Sequence, residues 1–151
     1  MRRILLTGMS GVGKSAVLER LAAEGFQCID LDDGWMCEIQ GERQIDLKAV
    51  QQFVRSHDQE SIVFAGCAIN QGSLNADYTI LLTASPETMR ARIAKRKNPF
   101  GKDEETWQRI MEDKKEIEPI LKAKSNMVIH TEQALDETVT QIKQLLEATQ
   151  V

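Results

Sequence analysis

The chain of 151 residues has little cysteine and little histidine, and it lacks any long hydrophobic run. Cys28, Cys37 and Cys67 are too few, and odd in number, for a disulfide framework, and no C-x-x-C spacing occurs. Reduced thiols in a cytosolic chain are the expected state. His57 and His130 stand alone, without metal-ligand spacing, so surface and strand-end positions suit them better than catalysis. Between the opening arginines and the first glycine lies only a short apolar run, so neither a signal peptide nor a membrane span is expected, and the expected location is cytoplasmic. There is no excess of positive charge: 19 Lys and Arg against 23 Asp and Glu give a net charge of −4. Bulk electrostatics therefore offers nothing to a nucleic acid, and no nucleic-acid or membrane partner is expected. Repeats and low-complexity linkers are absent as well. The apolar content of 42% and charged content of 28% describe one globular domain over residues 1–151.

What is present begins with Gly8, Met9, Ser10, Gly11, Val12, Gly13, Lys14 and Ser15. This is G-x-x-x-x-G-K-S, and it stands between an aliphatic strand, Arg3 to Thr7, and a segment with Val17, Leu18, Leu21 and Ala22 at helical spacing. Glycines let the chain wrap closely around an anion with its N–H groups turned inward, and the helix N-terminus adds its positive dipole end. Lys14 is placed to reach the outer phosphates of a nucleotide, and the Ser15 hydroxyl to ligate Mg²⁺.

Further strands are read at 26–30, 61–65, 78–83 and 127–130. They are near-continuously apolar, as in a parallel sheet covered on both faces. Ser85-Pro86-Glu87 is a helix start, with a capping hydroxyl, proline at the first helical position and an acid in the first turn. Another helix starts near Asp103 and brings Trp107, Ile110, Lys114, Ile117 and Leu121 near one face, with Pro119 kinking or dividing it. The last runs from about Leu135 to Ala148 with Leu135, Val139, Ile142 and Leu146 toward the core. In such an open α/β sheet, ligands sit at the carboxyl ends of the strands.

The second strand ends in Asp30-Leu31-Asp32-Asp33-Gly34. Alternation puts Asp30 and Asp32 on one side, beside the phosphate loop, where one carboxylate can hold Mg²⁺ and the other accept a proton from an attacking hydroxyl. Asp and Gly are also turn residues, so a solvated turn is the competing reading. The order strand, GxxxxGKS, helix, strand, DxD resembles the small P-loop kinases, especially the shikimate kinase and gluconate kinase branch, and more distantly the nucleoside monophosphate kinases. The resemblance implies a three-layer α/β/α fold with a five-stranded parallel sheet, ATP as donor, and a small-molecule acceptor. It implies Mg²⁺ support from Asp30 and an acceptor contact from Asp32, with Asp33 as an alternative base.

Shikimate kinases carry a glycine triplet after the third strand that approaches the acceptor through backbone amides; this chain matches it at Gly66 alone, which the resemblance implies as an acceptor contact, followed by Asn70 and Gln71, which are either neutral acceptor contacts or ordinary loop residues. No Walker B aspartate ends that strand; Asp77 lies at the start of the next, on the wrong edge for phosphates. Residues 90–102 are the most basic stretch and resemble the lid of these kinases, which implies Arg92 and Arg96 as phosphate-closing arginines within a lid of about 92–109; Arg109 resembles the second lid arginine of nucleotide kinases. Cations that favour a helix C-terminus are the alternative reading of the same stretch. Thr131 to Leu135 falls where this family packs adenine, and no Asn-Lys-x-Asp guanine signature is present. Residues 34–60 form a short acceptor subdomain whose only cations are Arg43, Lys48 and Arg55. The expectation is a monomeric or small homo-oligomeric ATP:acceptor phosphotransferase. A nucleotide-binding regulatory ATPase or switch without an acceptor is the rival.

Overall fold

The computed structural model describes residues 2–147. Five parallel strands form one sheet: β1 (Arg3–Thr7), β2 (Gln27–Asp30), β5 (Ile62–Ala65), β6 (Tyr78–Thr83) and β7 (Met127–His130), in the order β2-β5-β1-β6-β7. The helices are α1 (Lys14–Ala23), α2 (Leu47–Ser56), α3 (Pro86–Lys95), α4 (Glu104–Glu116), α5 (Glu118–Lys124) and α6 (Leu135–Glu147). Alternation along the strands feeds two cores. Ile4 and Leu6 of β1, with Val63 and Ala65 of β5, pack beside Leu18, Leu21, Val139 and Ile142. Leu5, Ile62 and Phe64 face the other way, onto Val50 of α2. Helices thus cover both faces, giving the three-layer α/β/α arrangement.

The topology positions the site. From central β1 the chain goes outward to β2 and back to β5, and only afterwards builds β6 and β7 on the opposite side. The loop after β1 therefore sits at the switch point, where the strand ends diverge and leave a crevice.

The strand readings at 78–83 and 127–130 coincide with β6 and β7. Ser85 caps α3, its hydroxyl accepting the Thr88 N–H, and Pro119 stands at the start of α5, where the long helical pattern is divided in two. Two corrections arise. Leu135 does not join the core; it opens the first turn of α6, 38% exposed, and the buried stripe begins at Thr138 and Val139. Ala148, read as the end of that helix, lies outside the described residues. Residues 34–60 hold an antiparallel hairpin, β3 (Met36–Ile39) with β4 (Glu42–Ile45), and then α2. The hairpin turns through Gln40 and Gly41, both at positive φ (53° and 80°), as a primed two-residue turn requires. Asp46 then caps α2 by accepting the Ala49 N–H. Among the described residues, no helix is long and apolar enough to cross a membrane.

Candidate functional site: a phosphate loop beside an acidic turn

Gly8, Gly11 and Gly13 adopt φ of 147°, 90° and 103°, a region that side-chain-bearing residues rarely occupy. Space also demands glycine. A Cβ at Gly8 would lie 2.3 Å from the Leu82 carbonyl oxygen, and one at Gly11 would meet Ile93 and the Met89 carbonyl at 3.0 Å. The loop is thus pressed between β6 and α3. On its open side, the N–H groups of Gly11, Gly13, Lys14 and Ser15 have no acceptor among the described residues. They crown the N-terminus of α1, which has no side-chain cap. Unpaired donors and the positive end of the helix dipole thus lie together, as an anion site requires.

Lys14 folds over this loop, its Nζ donating to the carbonyls of Gly8 and Met9. The residue keeps some exposure, but its ammonium is enclosed by protein, and desolvation pushes its pKa below the ordinary lysine range. Asp32 and Asp30 oppose that shift, so both carboxylates lie within electrostatic reach of Lys14.

The geometry behind this is local. Leu31 is fully buried and its N–H donates to the Ala65 carbonyl, which turns Asp30 and Asp32 away from the core. Asp30 Oδ1 accepts the Asp32 N–H at 3.1 Å, closing the turn. Asp32 itself takes Arg43 Nη1 of the hairpin at 3.1 Å. Asp33 is exposed and shares with Ser15, Asp30 and Trp35 the wall of an open cleft of about 360 Å³. The Ser15 hydroxyl and the Asp30 carboxylate in that wall are hard oxygen donors beside free N–H groups, a set that fits Mg²⁺ carried by a nucleotide.

At the end of β5, Gly66 has no room for a side chain, since a Cβ would lie 2.9 Å from Leu31 Cβ. Asn70 spends its amide on the hairpin: Oδ1 accepts the Ile45 N–H at 2.9 Å and Nδ2 donates to the Ile45 carbonyl at 3.1 Å. Gln71 Oε1 accepts the Ala68 N–H at 3.0 Å and lies 3.4 Å from the Thr7 hydroxyl. Both amides hold the loop in shape. Cys67 is exposed as a residue, yet burial of its thiol pushes the pKa up against the opposing pull of Lys14 and Thr7.

The basic stretch divides. Arg96 caps α3, donates to the Phe100 carbonyl at 2.6 Å, acts electrostatically on Lys14, and leaves its buried Nε without a partner. Arg92 is committed to the back of the phosphate loop, with Nη1 donating to the Val12 carbonyl at 3.0 Å and to Thr131 Oγ1 at 2.7 Å. Between α3 and α4 the chain is pinned by Gly101, at φ 91°, where a Cβ would strike Ile110 at 2.7 Å. Arg109 lies over the Phe100 ring, 6.0 Å from its centre. After β7, Glu132 accepts the Ser85 N–H at the start of α3.

Residues 4–121 match the family model described as AAA domain. The chain belongs to the AAA-domain family. A curated relative, the "Nucleotide-binding protein" of Halothermothrix orenii, is 30% identical over 138 residues, which is 87% of this chain. The chain spans about half the length of that relative, 48% of it. Among solved structures, the shikimate kinase of Acinetobacter baumannii in complex with shikimate is 20% identical, with a TM-score of 0.66 over 96% of this chain and 92% of that one. The deoxyadenosine kinase of M. mycoides with bound dATP is 16% identical, with a TM-score of 0.65 over 98% of this chain and 100% of that one. The fold of this AAA-domain protein is that of the small P-loop kinases.

Two site features escaped the sequence reading: the Arg43 partner of Asp32 and the Thr131 hydroxyl behind the phosphate loop. No local pattern announces them, because each meets its partner across distant elements.

Proposed function

We propose that this protein is an ATP-dependent phosphotransferase that moves the γ-phosphoryl group to a hydroxyl or phosphate of a small molecule. The observation that carries the reading is that the free loop N–H groups stand beside an acidic turn, in which Asp30 and Asp33 share a cleft wall with Ser15 and the Asp32 N–H is tied to Asp30 Oδ1. A protein that only holds a nucleotide has less use for a second carboxylate beyond the metal position.

In this mechanism the loop Gly8 to Ser15 holds the phosphates, and Lys14 meets charge developing on the transferring group. Ser15 and Asp30 hold Mg²⁺. That ion, when bound, neutralises the charge of the β- and γ-phosphates. Asp32 orients or deprotonates the acceptor hydroxyl, with Asp33 next along the same turn as the alternative base. Arg96, with a partly unsatisfied guanidinium near Lys14, serves the phosphoryl group as it moves. The rival reading, a nucleotide-binding switch without acceptor, draws on one observation: Asn70 commits both ends of its amide, and Gln71 its amide oxygen, to the protein's own backbone, which leaves fewer groups for an acceptor.

The test is incubation with Mg-ATP and a library of polyols, sugars, nucleosides and nucleotides, scoring ADP release above acceptor-free background. At least one compound raises release if the transferase reading holds. A binding-competent protein that no compound stimulates favours the switch.

A further inference from the structure

We infer that Arg92 and Thr131 form a clamp that fixes the direction of one phosphate-binding N–H, that of Gly13. The inference rests on the reading that loop 8–15 holds nucleotide phosphates. The Val12 carbonyl receives two donors from remote parts of the chain: Arg92 Nη1 at 3.0 Å, 80 positions away, and Thr131 Oγ1 at 2.7 Å, 119 positions away. The two donors are tied to each other, because Arg92 Nη1 donates to Thr131 Oγ1 at 2.7 Å and Nη2 to the Thr131 carbonyl. Thr131 is anchored in turn by its N–H, which donates to the Thr83 carbonyl at 2.9 Å, and it is only 6% exposed.

The Val12 carbonyl and the Gly13 N–H belong to one rigid peptide plane and point in opposite directions. Pinning the oxygen toward Arg92 and Thr131 therefore aims the N–H the other way, into the open side of the loop. Gly13, at φ 103° and ψ 15°, is the residue least able to resist a flip of that plane by itself, since glycine occupies both signs of φ readily. A clamp on the carbonyl supplies the resistance that the backbone lacks. Thr83 brings β6 into the arrangement and Arg92 brings α3, so the loop after β7 and the phosphate loop are held as one unit. Arg92 is thus a positioning residue, acting through the Val12–Gly13 peptide.

The probe is inorganic tripolyphosphate, which has phosphates but neither base nor ribose, titrated calorimetrically beside ADP. Arg92→Ala and Thr131→Val each weaken both ligands about tenfold, the size of one hydrogen bond to a charged group. The double variant is weaker than either single one by no more than about twofold, because both changes free the same peptide. Thr131→Ser, which keeps the hydroxyl, binds like the parent. Melting temperatures measured without ligand identify any variant that fails to fold, and Thr131→Val with Thr131→Ser then carries the comparison. A loss confined to ADP would place Arg92 on the base side and overturn the inference, as would folded variants that hold tripolyphosphate within twofold of the parent. A parent that binds neither ligand would instead overturn the functional reading beneath it.

Discussion

Replacing Asn70 with alanine separates two roles for one residue. From sequence the amide suits either an acceptor contact or a loop residue; in the fold it makes a two-point contact with Ile45, 2.9 Å to the N–H and 3.1 Å to the carbonyl. Ile45 ends the hairpin strand β4, and its side chain is 1% exposed in the core beneath α2. Asn70 therefore fastens the loop after β5 to the hairpin that carries Arg43. Each neutral hydrogen bond contributes about 1 kcal/mol net, and a backbone group left without a partner costs more when water cannot reach it. The site is partly buried, so the low end applies and Asn70→Ala should cost about 2 kcal/mol. For a chain of this size that is a fall in melting temperature of about 4–8 °C. Thermal melts followed by circular dichroism give the total, and amide exchange at Ile45 localises it. Asn70→Asp keeps the acceptor and loses the donor, so it should fall between parent and alanine variant. The reasoning is refuted if Asn70→Ala melts within about 1 °C of the parent with unchanged exchange at Ile45.

Two other outcomes follow from particular contacts. Gly8→Ala puts a Cβ 2.3 Å from the Leu82 carbonyl at a φ of 147°, and the combined overlap and backbone strain should cost about 3 kcal/mol or more in urea unfolding, whereas a near-neutral change would mean that β6 yields easily. Burial pushes the Cys28 thiol up to about 11, so at pH 8 only about one molecule in a thousand carries the reactive thiolate. Iodoacetamide should leave Cys28 unmodified over a time that labels the unfolded chain completely, as peptide mapping will report, and rapid labelling in the native protein contradicts the burial.

Local features of the fold were legible. The phosphate loop needs a strand, glycines at fixed spacing and a helix start, all within about twenty residues. Strands β6 and β7 are short apolar runs flanked by breakers, and Ser85-Pro86 carries its cap in adjacent residues. The hairpin at 36–45 was not, because its turn is Gln40-Gly41 rather than Asn-Gly, and Met36-Cys37-Glu38-Ile39 shows no alternation. Leu135 satisfied the helical period but sits one turn before the sheet begins to cover α6. The committed partners of Asn70, Arg92 and Asp32 were invisible for another reason. Each is decided by where a remote element lands, and residue type at one position does not encode the other.

The central claim is that phosphate is moved to an acceptor and not merely held or hydrolysed. Its most direct test uses ATP labelled with ¹⁸O in the γ-phosphoryl group, supplied with Mg²⁺ and an acceptor found by the library screen, with products resolved by mass spectrometry for the parent and for Asp32→Asn. The account predicts labelled phosphate joined to the acceptor with the parent, and near-abolition of that product with Asp32→Asn while Mg-ATP still binds. Should Asp32→Asn alone stay active, the double change of Asp32 and Asp33 to Asn carries the same prediction. Label found solely in inorganic phosphate, at a rate indifferent to the acceptor, or full transfer by the double variant, would contradict it.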